Sequence, residues 1–516
     1  MATQALAREA LGTRDRTPPA IRRAGRVLVV AGAIGLAGQL LFFGHAIGVN
    51  FPIAAALTLL GAWRLRGANR IDVLDAWLAP ASLAFATFAA VRADETVVAL
   101  DVVASLALGA AAVASFGGRR VVSRPFGELV ALAGTAIGWI LTGAIPTLGQ
   151  ARRRMPTGTA VTRHLSPVLP ILRGVAIAVP VVLVFVALFA AADAVFADVM
   201  GDLLGFEVDL GDAAWRTALA LAIAWPVAGG LALASTVPAS VAPGSGTQAV
   251  PWRAGTTEVA TVLIAVIAVF GLFVALQAAY LFGGLDTLAA VGMTYADYAR
   301  RGFFELVVVA GLAGALIVGA ERLARERTRA VVALAIGLAL LTGVVLVSAA
   351  LRLRLYQEAY GWTELRLYVL ATIAWLAVGV LALVVALATD RVRWIAHVLG
   401  VAALAIGLGL NVIGPVRFIT EQNVARVLDP ALVPPNGSTG LDETYLVGLG
   451  DDAVPALLRA LPALEEAPAD YLRADLAVRL DRLRDHPALT DWPAWNAGRA
   501  EARDVLEAAE SQGTLR

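Results

Sequence analysis

The sequence predicts an all-α protein: a polytopic transmembrane helical bundle of about 11–12 spans, followed by a small C-terminal helical domain. Three observations support this prediction. Of its 516 residues, 59% are hydrophobic and only 16% are charged, against about 25% charged in a soluble domain. Its mean hydropathy is +0.76. Apolar runs long enough to cross a bilayer recur from Arg26 to Asn411, and the composition becomes polar after Asn411.

Each of the apolar segments is continuously hydrophobic over about 17–25 residues, which is the length of a membrane-spanning helix. An open strand would leave its backbone polar groups unpaired in lipid, and a β-barrel would show alternating hydrophobicity, so helices are predicted. The segments are 27–43, 46–63, 74–91, 97–116, 127–146, 170–191, 213–235, 257–281, 303–320, 329–350, 367–388 and 394–413.

Arginine placement predicts the orientation in the plasma membrane, because short cytoplasmic loops carry an excess of positive charge. The arginines crowd the leader and the connections at 64–70, 119–124, 152–163, 322–329 and 391–393. The connections on either side of segment 127–146 both carry this cytoplasmic signature. We therefore favour a re-entrant or interfacial helix there, which leaves eleven true spans rather than twelve. An odd number of spans places the N-terminus in the cytoplasm and the C-terminal tail outside.

Composition also predicts how the chain divides into domains. The tail reads as helical because Leu472, Leu476, Leu480 and Leu483 follow helical spacing. The predicted domains are an Arg-rich cytoplasmic leader (1–26), an N-terminal membrane half (27–235), a flexible linker rich in Pro, Gly and Ser (236–256), a C-terminal membrane half (257–413) and a polar helical tail domain (414–516).

The usual sequence signatures of catalysis are missing. The chain has no cysteine, its four histidines lie far apart, and without lysine it cannot carry a phosphate-binding P-loop. We predict no catalytic residues, no metal and no cofactor, and we lean against an enzyme. The near balance of 41 basic and 40 acidic residues argues against a nucleic-acid partner. Asp72 and Asp75, spaced as D-x-x-D, are interpreted as solvated carboxylates at a helix start in preference to a site for Mg²⁺ and a diphosphate, and Asp101 as reaching the membrane interface in preference to a buried proton site.

Arginine and tyrosine cluster on connections that the topology places outside, against the positive-inside tendency. These clusters have two interpretations: a pocket for an anionic headgroup, or a surface that docks the tail through ion pairs, which we favour slightly. The residues of this candidate polar face are Tyr295, Asp297, Tyr298, Arg300, Arg301, Glu305, Arg352, Arg354, Tyr356, Glu358, Arg366, Asn411, Arg417 and Asn423.

Several strings in the second part of the chain are similar to a known family. They are LQAAYLFGG (276–284), TYADYARRGFFEL (294–306), RLYQEAYGWTELRL (354–367), LDETYLVGLGDDAVPALL (441–458) and DWPAWNAGRAEAR (491–503). Together they resemble an uncharacterised family of bacterial multi-pass membrane proteins, classed as a domain of unknown function, over roughly residues 170–510. The resemblance implies a membrane protein and carries no reaction or ligand.

Three functional hypotheses follow from these observations. The first is a non-enzymatic sensor, assembly factor or signalling component that acts through its outer face and tail. The second is a secondary transporter, which would need a polar site at broken helices near the middle of the membrane. The third is a membrane enzyme acting on a lipid or glycan through Asp297, Glu305 or Glu358. The expected partners are the lipid bilayer and either an anionic headgroup or another membrane protein.

Overall fold

The computed structural model describes residues 19–152 except 68, together with 211–235, 255–282 and 303–515 except 435, 436, 438 and 439. Within these ranges the regular structure is entirely helical. The α-helices are α1 (Pro19–Phe42), α2 (Asn50–Leu65), α3 (Leu78–Phe88), α4 (Glu95–Phe116), α5 (Phe126–Thr142), α6 (Ala144–Arg152), α7 (Gly211–Ser235), α8 (Thr256–Phe282), α9 (Phe303–Leu323), α10 (Arg329–Tyr360), α11 (Glu364–Thr389), α12 (Ile395–Ile413), α13 (Pro415–Leu428), α14 (Glu443–Gly448), α15 (Val454–Ala460), α16 (Glu466–Asp485), α17 (Pro487–Thr490) and α18 (Ala497–Ser511).

Eight of the described helices are long and apolar enough to cross a membrane, namely α1, α4 and α7 to α12. An all-α polytopic bundle is therefore confirmed, and the protein is a multi-pass membrane protein. Eleven of the predicted apolar segments coincide with helices, and segment 170–191 lies outside the described residues. Helices α2 and α3 are shorter, with 16 and 11 residues.

Predicted segment 127–146 is not one straight helix. It is broken at Gly143 into α5 and α6, which meet at 54°. The Gly143 N–H is bonded to the carbonyl of Trp139 at 2.8 Å, and the Trp225 indole N–H of α7 donates to Leu141 O at 2.8 Å. A bent helix pair of this kind is either a broken span or a re-entrant helix, so the predicted re-entrant or interfacial helix stays a prediction.

The two ends of the bundle are chemically different. One end carries the arginine-rich connections, where arginines donate to the last carbonyls of helices. Arg23 donates to Ser235 O at 2.9 Å, and Arg119 donates to Leu233 O at 3.0 Å. The other end carries the loops 43–49, 89–94 and 361–363, which contact the tail. The N-terminal end of α1 and the tail therefore lie at opposite ends.

Buried residues form separate clusters in the two membrane halves, and a further cluster in the tail. The tail cluster is continuous with the bundle, because it includes Leu367 of α11 and Leu410 of α12. The four leucines whose spacing predicted a helix all lie on α16 and are between 0% and 4% exposed. The predicted domain boundaries stay predictions, but this shared core shows that the tail packs directly on the ends of the bundle helices.

Candidate functional site

The loop between α3 and α4 (89–94) is held by the end of the tail. Asn496, which is 2% exposed, donates from its side-chain amide to Arg92 O at 2.8 Å and to Ala89 O at 3.3 Å. The same amide group accepts from the Arg499 N–H and so caps the start of α18. Two backbone bonds run beside it, Ala497 N to Ala90 O and Gly498 N to Val91 O, both 3.0 Å. One short loop of the bundle is thus bonded at nearly every residue.

A second pair of tail residues closes this contact. The Asp452 carboxylate accepts from the Ala93 N–H at 3.0 Å. Gly498 lies so close that a Cβ atom there would sit 2.2 Å from Asp452 Oδ1 and 3.0 Å from Ala93 N. Only a glycine allows α18 to approach the loop this closely.

Arg92 belongs to the same loop, and its side chain caps the end of helix α12. Its guanidinium donates to Asn411 O, with Nε at 2.8 Å, and to Val412 O at 3.4 Å. The last carbonyls of a helix have no partner within the helix and carry partial negative charge, so a cation is favoured there. Helix α12 ends at Gly414, whose φ is +67° and whose Cβ position lies 2.9 Å from Arg92 Nη1. The chain then enters the tail directly.

Asp101 lies just below this cap, inside the bundle. It is 1% exposed, and its Oδ1 accepts from the Asn411 side-chain amide at 2.6 Å. The prediction that Asp101 reaches the interface is therefore wrong. It is covered because α12, from the other membrane half, packs against α4 at this level, and Leu404 of α12 joins the N-terminal core.

Two carboxyl groups at this junction that lie outside the spanning segments, those of Asp452 and Asp94, have raised pKa values. Burial raises the pKa of Asp452 to about 6, and the nearby Asp94 and Asp451 also raise it, against the Ala93 hydrogen bond and Arg92, which lower it. Burial likewise raises the pKa of Asp94, although its carboxylate caps α4 by accepting from the backbone N–H groups of Thr96 and Val97. Both shifts disfavour the charged form at the junction.

The loop between α10 and α11 is a second docking point. The Asn423 side chain of α13 pairs with the Trp362 backbone, accepting from its N–H and donating to its carbonyl, both at 2.8 Å. Arg426 donates to Glu358 O at 2.6 Å and to Ala359 O at 3.1 Å, which caps the end of α10 as Arg92 caps α12. The Tyr445 hydroxyl accepts from the Glu364 N–H at 2.8 Å.

The loop between α1 and α2 is the third docking point. Ala46 N donates to Ala488 O and Val49 N donates to Trp495 O, both at 2.9 Å. The loop itself is fixed by Asn50, which is fully buried and bonds to Gly48 N and to Leu41 O. The tail therefore holds loops from both membrane halves at the same end of the bundle.

The predicted polar face is only partly brought together. Tyr295, Asp297, Tyr298, Arg300 and Arg301 lie outside the described residues, and Glu305 is exposed in the first turn of α9. Arg417 of α13 is 3.2 Å from Glu501 of the tail and 3.5 Å from Glu421. Of the predicted residues, Asn411 is buried and Asn423 is half-buried, and both make the polar contacts described above.

Helix α10 explains the placement of the arginines that it carries. It has 32 residues, which is roughly 48 Å of helix against about 30 Å of hydrocarbon, so its C-terminal turns extend beyond the membrane core. Arg354 pairs with Glu358 at 2.8 Å, the Arg366 guanidinium lies 4.1 Å from the Tyr356 ring centroid, and Arg352 is half-buried and engaged in a contact. The Glu358 carbonyl also accepts from Arg426, so this end of α10 lies beside the Asn423 docking point.

Sequence reasoning missed Arg92, Asp94, Asp452 and Asn496. Weak signals existed for three of them: Arg92 is an arginine in a predicted outer loop, Asp94 precedes a helix as a capping residue, and Asn496 does the same before α18. The interpretation of Asp75 as solvated is also wrong. Asp75 is 3% exposed, and both of its oxygens accept backbone N–H groups, from Val121 at 2.9 Å and Val122 at 2.8 Å.

Among the described residues, no group of three or more His, Asp or Glu side chains is arranged to hold a metal ion. The fold and the junction together define a class: a multi-pass helical membrane protein whose C-terminal tail is docked onto the ends of its helices. The chain belongs to the family described as "Domain of unknown function (DUF4153)", whose model matches residues 79–460. No curated protein and no solved structure matches the chain.

The family match covers a different range from the resemblance that the sequence strings suggested, which was roughly residues 170–510. It begins earlier, at residue 79, and ends earlier, at residue 460. It therefore includes Arg92, Asp101, Asn411 and Asp452, but not Asn496. The first part of the chain, which showed no family string, contributes α3 and α4 to the family domain.

We expect Gly498→Ala to loosen the tail from the bundle, because the added methyl group would overlap Asp452 and the Ala93 backbone. Such overpacking costs about 1–3 kcal/mol. Limited trypsin digestion in detergent should release a tail fragment faster from the variant than from the wild type. The matched control is Gly448→Ala, at an exposed tail glycine with nothing within 4 Å of its Cβ position. Equal digestion of both variants would contradict the close approach.

We expect docking to weaken as pH rises. The pKa of Asp452 is about 6 in the docked state against an ordinary 3.8. Between pH 3.8 and about pH 6 the docked state therefore keeps a proton that the released state has lost. Docking should therefore weaken by somewhat more than about 100-fold across this window, and level off above it. The groups acting on this carboxyl are Arg92, Asp94, Asp451 and, from α18, Arg499.

Asp452→Asn should remove most of this dependence and leave the part due to Asp94, whose pKa is also raised. The thermal midpoint of the tail, followed by the fluorescence of Trp492 and Trp495 in detergent, measures the effect at pH values on both sides of the window. Exposed Asp485→Asn is the control. A wild-type midpoint that rises with pH through this window would show the opposite sign and refute the prediction.

Proposed function

We propose that this protein is a non-enzymatic sensor or signalling component, in which the C-terminal tail receives a signal and passes it to the transmembrane helices. The observation that carries this proposal is the set of three docking points. Through them the tail bonds to the loops 43–49 and 89–94 of the N-terminal half and to the loop 361–363 of the C-terminal half. A ligand or partner that moves the tail would move helix ends in both halves.

The connections at these docking points are short and well bonded, which suits transmission of a movement. The tail follows α12 after a single residue, Gly414. Arg92 joins the end of α12 to the start of α4, and Arg426 joins α13 to the end of α10. A change in tail position therefore breaks or strains helix caps and is not absorbed by a flexible linker.

The orientation that we propose places the tail outside the plasma membrane and the N-terminus in the cytoplasm. Its support is the distribution of arginine between the two ends of the bundle. The loops 43–49 and 361–363 carry no arginine and the loop 89–94 carries only Arg92, whereas arginines crowd the connections at the opposite end. An extracytoplasmic tail is also where a signal from outside would bind.

Two features of the tail suggest its partners. Trp492 and Trp495, beside the loop 43–49, are 66% and 52% exposed, as expected of aromatic anchors at a bilayer surface. Arg354 is also exposed, and its one ion pair among the described residues is with Glu358. We propose that the tail rests on the lipid surface, near anionic headgroups, and that a second membrane protein or an outside ligand displaces it.

The other two hypotheses receive less support from the described residues. A cavity of about 310 Å³ lies among α2, α3, α4, α5 and α7, but its lining is almost entirely apolar, and its Ser82 hydroxyl is bonded to Ser105 O at 2.8 Å. Transport is favoured by one observation, the buried Asp101. An enzyme would need converging carboxylates, whereas Glu358 pairs with Arg354 and Glu305 lies exposed on α9.

The orientation is tested by cysteine labelling, which is simple because the chain has no cysteine. We expect a membrane-impermeant maleimide to label Ser511→Cys, at the end of α18, in intact cells. Glu326→Cys, in an exposed arginine-rich connection, should react only after the cells are permeabilised. Both positions are exposed, so the two variants are matched for access once the membrane is opened. The reverse pattern would invert the proposed orientation.

The sensor proposal is tested by asking how far a disturbance at the tail spreads. Asn496→Ala removes both amide donors to the loop 89–94 and leaves two carbonyls unpaired, at a cost of about 1–3 kcal/mol. Hydrogen exchange in nanodiscs should then increase at this loop and also at the opposite end, in 117–125 and 390–393. Arg473→Ala, which breaks an exposed pair with Asp470, should change neither end. An increase confined to the docking loops would make the tail an anchor and contradict the proposal.

A further inference from the structure

The contact between Asp101 and Asn411 joins the two membrane halves through a pair of buried polar side chains. Asp101 belongs to α4 and Asn411 to α12, and each is 1% exposed. The Asn411 amide donates to Asp101 Oδ1 at 2.6 Å and also to Gly407 O of its own helix at 3.1 Å. Its two N–H donors are thereby used.

The pair is short of hydrogen-bond donors. Asp101 Oδ2 and Asn411 Oδ1 are both buried and have no partner among the described residues. An ionised carboxylate can only accept hydrogen bonds, and burying one without donors is costly. Asp75 shows the alternative, because this equally buried carboxylate has a backbone N–H on each oxygen. The surroundings of Asp75 suit an anion, and those of Asp101 do not.

The charged groups around Asp101 do not supply the missing donor. Arg92, on the loop before α4, donates to Asn411 O and Val412 O; its positive charge lies near Asp101, but no ion pair joins the two side chains in the described part of the chain. Asp94, about two helical turns before Asp101, adds negative charge. On α3, the neutral Ser82 hydroxyl donates to Ser105 O of α4. On α11, Glu364 lies beside Thr96 at 3.5 Å.

We infer that Asp101 and Asn411 form a proton-binding site at the contact between the two membrane halves. A proton on Asp101 Oδ2 turns one of the two unpaired acceptors into a donor, and Asn411 Oδ1 is the acceptor available to it. Both buried oxygens are then satisfied, and no net charge is buried. A metal cation would need several more oxygen ligands than these two.

Loss of the proton would weaken the contact that it completes. The ionised carboxylate would face Asn411 Oδ1, a second acceptor, with only one hydrogen bond between the residues. Because Asn411 also accepts from Arg92 through its backbone carbonyl, the site lies directly beneath the helix cap that leads to the tail. The inference rests on the packing of α4 against α12 and stands whether or not the tail acts as a sensor.

Dicyclohexylcarbodiimide tests the site, because this apolar reagent reacts with protonated carboxyl groups in membranes and leaves ionised ones unmodified. The full-length protein in nanodiscs at neutral pH should carry an adduct on Asp101, located by mass spectrometry of its peptides. Asp75 is the internal control, because it is similarly buried but each of its oxygens accepts a backbone N–H group. We expect at least about tenfold more adduct on Asp101 than on Asp75. Equal modification, or none on Asp101, would overturn the inference.

An infrared spectrum gives a second measurement that does not depend on access of the reagent. The carbonyl band of a protonated carboxylic acid should be present at neutral pH in the wild type and in Asp75→Asn, and should be lost in Asp101→Asn. Retention of the full band in Asp101→Asn would contradict the assignment. Replacing choline by sodium as the buffer cation should leave the carbodiimide labelling of Asp101 unchanged. Protection of Asp101 by sodium would show that the site binds a metal ion and would refute the inference of a proton site.

Discussion

The structure depends on how the carbonyl groups at the ends of its helices are satisfied. The last carbonyls of a helix have no partner within the helix, and near a membrane they cannot all rely on water. Here arginine side chains from other segments supply the donors: Arg92 for α12, Arg426 for α10 and Arg23 for α7. Each of these bonds ties the end of one helix to a distant part of the chain, so capping and assembly are the same interaction.

This constraint explains why the tail belongs to the bundle. Asn496 and Asn423 do for the bundle loops what the arginine caps do for the helix ends: each donates to backbone carbonyls that would otherwise lack partners. The close approach at Gly498 brings Asp452 against the loop 89–94, and the raised pKa of this carboxyl makes the contact sensitive to protonation. The tail is held through polar contacts of this kind and through a shared core at Leu367 and Leu410.

Local signals were sufficient for much of the fold. Hydropathy is a property of consecutive residues, so the helices of the described segments and the leucine-lined helix of the tail were predicted. Residues whose role depends on which helices meet were not. Asp101 is near the start of its helix, and only the packing of α12 against α4 buries it. Asn423 was placed on a polar face, but its pairing with Trp362 depends on the tail's path. Gly498 looks like any helix residue until the loop 89–94 lies against it.

The central claim is that the tail is docked on the ends of the bundle, and a distance across that junction tests it directly. Spin labels at Leu40→Cys, which is lipid-exposed near the end of α1, and at Ser511→Cys, at the end of α18, can be introduced into the cysteine-free chain. Pulsed electron paramagnetic resonance in nanodiscs should give one narrow distance distribution. A broad distribution in the wild-type background would show that the tail is not held, and the account would fail.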